Sequence, residues 1–415
     1  MLAAIAMIVS LFVVGVAAVT AAENSLAIHF ASDGWDTSKL AEGQVSSTAG
    51  GDQRLMFNNM SNSYTLEVTI SGSTPTSDWP CAGIIIGDDL NGNGLRLEIF
   101  SGWQGGGDQH WYKILDQGRN IIGQEIVLAG KSGIESENGV KVKIVRIGKE
   151  LEIYLGGKLV HAGFYDKLAN SGVCGLLTVD SKTTFSDITY TPGVELAGTT
   201  SKALADTSGN CDISQAANNV ITTTAGGMQY VFFDAPKDDH YVLDMVVKNV
   251  RATADWPSAA FLVSDDGVGG ALRFELFTGW QGGGDEHWIK VMDSARNMIG
   301  TEIMLGGRSG IESENGARMT VVRDGRCVSF YLNGQRIYTG EHDQLNNPGS
   351  MAIYTMDSTA TITDWSYTSL TEKAGDPAPA VGSATNGWDV SKIEFGTIKS
   401  TAGGVQDLLF NVEKT

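Results

Sequence analysis

Apolar and polar positions alternate in short runs along most of the chain, as in Leu95–Phe100 (LRLEIF), Val140–Val145 and Leu151–Leu155. A period of two marks a strand with one buried face. The last two runs flank Arg146-Ile147-Gly148-Lys149, and the matching later stretch reads Arg323-Asp324-Gly325-Arg326, so each pair forms a hairpin with glycine in its turn. Further strands are expected over Leu176–Val179, Phe185–Tyr190 and Ile362–Tyr367. No stretch carries the helical period. About a dozen short strands in about 170 residues is the size of a two-sheet sandwich. The pattern predicts an all-β chain of tandem antiparallel β-sandwich (jelly-roll) domains.

One segment breaks the alternation. Residues 1–22, MLAAIAMIVSLFVVGVAAVTAA, are continuously apolar and end in small side chains, which suits signal-peptidase cleavage near Ala21 or Ala22. No Lys or Arg precedes the run, and the first basic residue is Lys39. At about 20 residues it is also long enough to span a bilayer. The expectation is removal as a signal peptide, with retention as an N-terminal anchor as the alternative.

The chain repeats itself. GWQGGGDQHWYK at Gly102–Lys113 returns as GWQGGGDEHWIK at Gly279–Lys290, and SGIESENG at Ser132–Gly139 returns at Ser309–Gly316. Asp78-Trp79-Pro80 is matched by Asp255-Trp256-Pro257. A TAGG-x-Q-x-x-x-F segment occurs at Thr48–Phe57, Thr224–Phe233 and Thr401–Phe410. So long a period makes each copy a whole domain rather than a solenoid unit. The expected organisation is a signal or anchor over 1–22, sandwich repeats over 23–195 and 196–371, a linker rich in Pro, Ala and Gly over 372–384, and the start of a third repeat over 385–415. The third copy stops partway, which reads as a piece of a longer array and would leave Phe410 and its neighbours without pairing partners.

Composition narrows the function. The 415 residues include 48 acidic and 29 basic side chains, a net charge of −19. Nucleic acid and anionic membrane surfaces both call for clustered Lys and Arg, so neither is an expected partner. Export would permit disulfides among Cys81, Cys174, Cys211 and Cys327, but the cysteines occupy no matching positions in the two copies. Private bridges Cys81–Cys174 and Cys211–Cys327 are one arrangement; small buried apolar residues are the other, favoured for Cys174.

The hairpin MTVVRDGRCVSFYLNGQRIYTG, Met319–Gly340, resembles the laminin-G-like concanavalin A lectin/glucanase superfamily: an apolar strand, R-D-G, a strand with an aromatic, then L-N-G. The closing strand ITDWSYTSL and the TAGG-x-Q opening are similar to domains of this type, including those grouped with 3-keto-disaccharide hydrolases. Copy one departs from the pattern with Leu155-Gly156-Gly157. The resemblance implies a β-sandwich and glycan binding or glycan cleavage, and fold alone does not choose between them.

Divergence between the copies is uneven. From Gly102 to Gly139, 27 of 38 positions are identical to the second copy, whereas Val140–Val160 keeps 6 of 21. Such a contrast within one duplication needs a local reason, either packing or a site. Its Trp103, Gln104, Asp108 and His110, with Trp280, Gln281, Asp285 and His287, combine flat apolar rings with hydroxyl partners, as saccharide recognition needs. The competing reading is a glycine bulge with Trp103 and Trp111 in the core. Asp108 and His110, or Asp285 and His287, would share one strand face as an acid/base couple or two metal ligands. Glu135 and Glu137, with Glu312 and Glu314, form a second spacing-two pair whose carboxyls could flank a glycosidic bond, but the E-x-D-x-x-E motif of laminarinase-type enzymes is absent and a Gly- and Asn-bounded loop rich in Glu is more often a solvated turn. Asp89-Leu90-Asn91-Gly92-Asn93-Gly94 imitates half a calcium loop, but Phe100 stands where the bidentate Glu belongs, so a hairpin turn is favoured. Calcium elsewhere stays open; no metal site and no cofactor is implied. Trp79 and Trp256 are favoured as loop anchors over exposed rings.

These observations predict a secreted or cell-surface array of sandwich domains whose partner is a polysaccharide or glycan. A glycoside hydrolase and a purely structural spacer are the alternatives.

Overall fold

The computed structural model describes residues 26–102, 110–123, 125–208, 210–224, 226–279 and 286–372, together with the backbone of 381–384, 388–389, 399–400 and 408–410. The chain is all-β, and its elements are antiparallel strands apart from four single turns of 3-10 helix among the described residues. The expected fold class is the one observed.

Each copy packs a seven-stranded sheet against half of a larger sheet. In copy one the seven-stranded sheet runs Ile28–Ala31, Gln53–Phe57, Val173–Val179, Cys81–Asp88, Leu95–Phe100, Trp111–Asp116, Ile126–Val127. Copy two repeats this order from Leu204–Ser208 to Ile303–Met304. The inward faces build one apolar core per copy. Leu66, Val68, Ile84, Leu97, Ile144 and Phe185 are sealed in the first, and Leu243, Phe261, Phe274, Val321, Phe330 and Trp365 in the second. Burial of one to three kcal/mol per large apolar side chain is what holds two such sheets face to face.

The remaining strands of both copies join into a single 15-stranded sheet, because the edge strand Lys158–Phe164 of copy one meets the edge strand Gln335–Glu341 of copy two. The link is one antiparallel bridge, Gly163 to Gln335, with the Phe164 N–H donating to the Gly334 carbonyl at 2.8 Å. The connector is held too: the Asn62 side-chain amide exchanges hydrogen bonds with the Leu196 backbone, and Leu196–Ser201 pairs with the last strand of copy two.

One pair of edge residues has traded places. In copy one His161 bonds Tyr165 at 2.5 Å, and in copy two Tyr338 bonds His342 at 2.7 Å. The glycine between them is needed in each case, because a Cβ on Gly163 would lie 2.7 Å from the Tyr165 ring and one on Gly340 would lie 2.6 Å from the Tyr338 hydroxyl. Burial lowers the His161 imidazole to about 4, so the ring is neutral.

Several expectations change. All four cysteines are free. Cys174 faces the core between the sheets while Cys81 lies on the opposite, outer face of the same sheet, and Cys211 and Cys327 sit on strands with four others between them. Neither private bridge can form. Val381–Ala384, expected as the end of a linker, is a strand that pairs with Leu408–Phe410, so Phe410 has a partner in Val381. Trp388–Asp389 pairs with Lys399–Ser400 as Trp35–Asp36 pairs with Val45–Ser47 in copy one. The expected signal or anchor segment, 1–22, lies outside the described residues.

Candidate functional site

The outer face of each seven-stranded sheet, turned away from the core, carries a groove built from the strands on either side of the GWQGGGD segment. Residues 103–109 and 280–285 lie outside the described residues, so the structure does not place Trp103, Gln104, Asp108, Trp280, Gln281 or Asp285. By connectivity they join the strand ending in Phe100 or Phe277 to the strand beginning at Trp111 or Trp288.

The alternation in LRLEIF predicts polar side chains in water, yet all six residues are buried. The reason is an ion network on the outer face. Arg96 meets Asp52 at 3.0 Å and Glu98 at 3.0 Å, and Arg119 reaches Glu98 at 3.0 Å. In copy two Glu275 takes Arg296 in a two-pronged contact (3.0 and 2.9 Å) and accepts the Tyr354 hydroxyl at 2.5 Å, while Arg273 donates to the Tyr230 hydroxyl at 2.8 Å. The guanidiniums hold Asp52 below the usual carboxylate range against its own desolvation. Copy one's floor sets Arg96 and Arg119 against Asp52 and Glu98, whereas copy two's sets Arg273 and Arg296 against Glu275 alone, with Met228 at the position of Asp52.

Over this floor stand three aromatic rings and a lysine. Phe100 stacks on Trp111 with centroids 5.0 Å apart, and Trp79 meets Phe100 edge-on at 6.0 Å. Phe277, Trp288 and Trp256 repeat the arrangement at 5.8 and 6.0 Å. Lys113 lies 5.0 Å from the Phe100 centroid and bonds Glu125 at 2.7 Å; Lys290 lies 4.8 Å from the centroids of both Phe277 and Trp256 and bonds Glu302 at 2.8 Å. The clefts are open, about 420 Å³ in copy one and about 300 Å³ in copy two. Trp79 is 47% and Trp256 40% exposed, which corrects their expected role: each indole packs T-shaped against a phenylalanine with a lysine over its ring, and much of the side chain remains open to solvent at the rim. Trp111 is no core residue either, since it packs on the outer face with Phe100 and Leu177.

His110 and His287 are buried at 1% and 2% exposure and precede their strands rather than lying in them. The Ser132 backbone N–H donates to His110 Nδ1 at 2.8 Å, as Ser309 does to His287 at 3.0 Å, which makes Nδ1 the acceptor and leaves the proton of a neutral ring on Nε2. The Ser132 hydroxyl lies 2.8 Å from the same nitrogen. These histidines tie the SGIESENG loop to the groove strands. Glu135 and Glu312 lie 3.7 and 3.9 Å from the imidazoles, whereas Glu137 and Glu314 are exposed, and all four sit in a turn. The segment is the Glu-rich turn that its Gly and Asn boundaries favour, and the alternative pairing of both carboxylates on one strand face is not assembled, because a turn lacks the strand's alternation.

Asp89 accepts bonds from the Asn91 and Asn93 backbone and from the Asn93 and Asn170 side chains, which lowers its carboxyl strongly. Asp266 does the same in copy two. The calcium-like sequence is a self-satisfied hairpin turn. Among the described residues no group of three or more His, Cys, Asp or Glu side chains is placed to hold a metal ion.

Sequence reasoning overlooked Phe100, Lys113, Arg119 and Glu125. A signal was present, since Lys113, Arg119 and Glu125 are all unchanged in copy two.

The class of protein is thus an all-β chain of antiparallel sandwiches carrying the same open aromatic groove twice. No family model matches the chain, and no curated protein matches it. Among solved structures, it is similar to the carbohydrate binding module CBM66 from Bacillus subtilis, at 19% identity over 40% of this chain and 96% of that one, with a TM-score of 0.31. It is similar to a lectin from Bauhinia forficata in complex with GalNAc, at 11% identity over 43% of this chain and 100% of that one, TM-score 0.32. A prokaryotic β-1,3-1,4-glucanase (lichenase) derived from a mouse hindgut metagenome is similar at 7% identity over 43% of this chain and 99% of that one, TM-score 0.31.

Proposed function

We propose that the two grooves bind a polysaccharide or glycan, and that the chain is a secreted or cell-surface carbohydrate-binding protein. The observation that carries this reading is the half-exposed Trp79 and Trp256, each held against a phenylalanine beside an ion-paired lysine, on identical platforms. A flat indole presents an apolar face to the C–H groups of a sugar ring, while Glu125, Asp180 and Lys113 supply hydroxyl partners at the rim of the first groove. An open cleft accepts a stretch of polymer, and two sites on one chain raise the retention of a weak ligand through effective concentration. Export is supported by the apolar run at 1–22 and the acidic composition.

Affinity electrophoresis of the full chain through gels containing neutral β-glucan, xylan, mannan or galactan tests the reading. Retardation on at least one polymer, lost in Trp79→Ala/Trp256→Ala with the melting temperature nearly unchanged, is the expected outcome. Retardation that survives the double substitution would move the site away from the grooves. The floor carboxylates Glu98 and Glu275 are buried and held by arginines, so neither is placed as the acid or base of the hydrolase alternative. Absence of released sugar from the same polymers would separate binding from cleavage.

A further inference from the structure

The contact between the copies joins different surfaces of the same fold. Copy one offers an edge: Glu150, Glu152, Phe164 and Asp166. Copy two offers the solvent side of its half of the shared sheet. There the Tyr331 hydroxyl donates to the Glu150 carboxylate. Arg336 meets Glu152 at 2.5 Å, and Arg318, already clamped on Asp244, reaches Asp166 at 2.5 Å. Phe164 packs with Val242, Val322 and Tyr331, its ring centroid 5.6 Å from that of Tyr331.

Most of this could not be repeated with the copies exchanged. The positions of Glu150, Glu152 and Phe164 are Cys327, Ser329 and Glu341 in copy two. The positions of Val242, Arg318 and Arg336 are Thr65, Lys141 and Leu159 in copy one. Copy two's own edge is self-contained, with Arg326 paired to Asp343 at 2.5 Å and Glu341 at 3.4 Å. A heterologous contact between like modules would ordinarily propagate. Here six of the nine seam residues are replaced, while Asp166, Val322 and Tyr331 keep their identity as Asp343, Val145 and Tyr154.

We propose that this seam is an ordered docking surface: copy two's face is specific for copy one's acidic, aromatic edge, so that copies one and two form one rigid pair. The Asn62–Leu196 clamp and the Leu196–Ser201 strand fix the connector against both copies and leave it no slack for a hinge.

The test uses the full chain. Arg318→Glu/Arg336→Glu should raise the radius of gyration by several ångströms in small-angle scattering and split a single calorimetric transition into two. Adding Glu152→Arg/Asp166→Arg should restore the compact form and the single transition. A second variant, Glu150→Cys/Glu152→Ser/Phe164→Glu, gives copy one the edge of copy two and should also open the pair, with strand content by circular dichroism unchanged. Retention of the compact radius and one transition in both opening variants would overturn the proposal. So would opening that the compensating reversal fails to repair.

Discussion

Two neighbouring stretches of the repeat have diverged to very different degrees, and the structure places them in different jobs. Gly102–Gly139 keeps 27 of 38 residues between copies and builds the wall and lysine of the groove together with the loop pinned to His110. Val140–Val160 keeps 6 of 21 and supplies Glu150 and Glu152 in one copy, Arg318, Tyr331 and Arg336 in the other. A site that meets the same ligand twice gains from identity. A surface that meets a different surface of its own duplicate gains from difference, because replacing its residues in one copy keeps the heterologous contact from propagating. Under the proposed function, the contrast within one duplication separates outward recognition from inward assembly.

The sharpest way to break that contrast is to strike a residue the diverged hairpin did keep. Arg146 is fully buried, and its guanidinium donates to the carbonyls of Gly148, Ser61, Leu168 and Asn170; Arg323 does the same for Gly325, Asp238, Leu345 and Asn347. Arg146→Met would strand several buried carbonyls, each worth about 1–3 kcal/mol, so chemical denaturation should show a loss of at least 3 kcal/mol, roughly the sum of two such groups. A loss below about 1 kcal/mol would mean that water replaces the guanidinium.

Next in size is His110→Ala. It leaves the Ser132 N–H without its acceptor and loosens the loop beside the groove, with an expected cost of about 1–3 kcal/mol. If binding fell while stability held, His110 would belong to the ligand site rather than to its support.

The traded His–Tyr pair gives a smaller and cleaner effect. His161→Tyr and Tyr165→His should each destabilise copy one, and the double exchange, which writes copy two's arrangement into copy one, should recover most of the loss. A coupling of about 1 kcal/mol is expected from contacting, hydrogen-bonded residues. Strict additivity would show that the bond is incidental.

The smallest effect is on pH. Packing in the seam pushes the Glu150 carboxyl up to about 7, against the nearby Arg336 and Tyr331 and with Glu152 and Asp324 adding like charge. A carboxyl raised in the docked state favours docking while protonated. Seam stability contributed by Glu150 is therefore present below its ordinary value near 4.5 and declines as pH rises toward 7. Asp166, lowered by Lys149 and Arg318, acts oppositely and loses its contribution as pH falls through the acid range. Scattering across pH 4–8, roughly the window these two groups bracket, should show a modest opening at the upper end that Glu150→Gln abolishes.

Much of this architecture was legible in the chain. Leu95–Phe100 is a strand with the expected ends, the Gly148 and Gly325 turns lie where the alternation breaks, and the repeat period locates the second core. What escaped is instructive. Arg96 and Glu98 read as a solvent-facing pair because alternation reports side-chain direction, whereas burial depends on whether neighbouring strands bring counter-charges to cover that face. Trp79 read as an anchor because Trp is usually enclosed, yet with Phe100 packed T-shaped against it the side chain is still 47% exposed. The seam was invisible for a related reason: divergence between copies looks like relaxation until the two diverged faces are seen in contact.

The most direct test of the central claim is a glycan-array screen of the full chain beside Trp79→Ala, Trp256→Ala and the double variant. The account predicts one glycan class bound by the parent, weakened by either single substitution and lost in the double. Binding that is unchanged in the double variant, or silence of the parent across a broad array, would contradict it and leave the conserved grooves as packing devices.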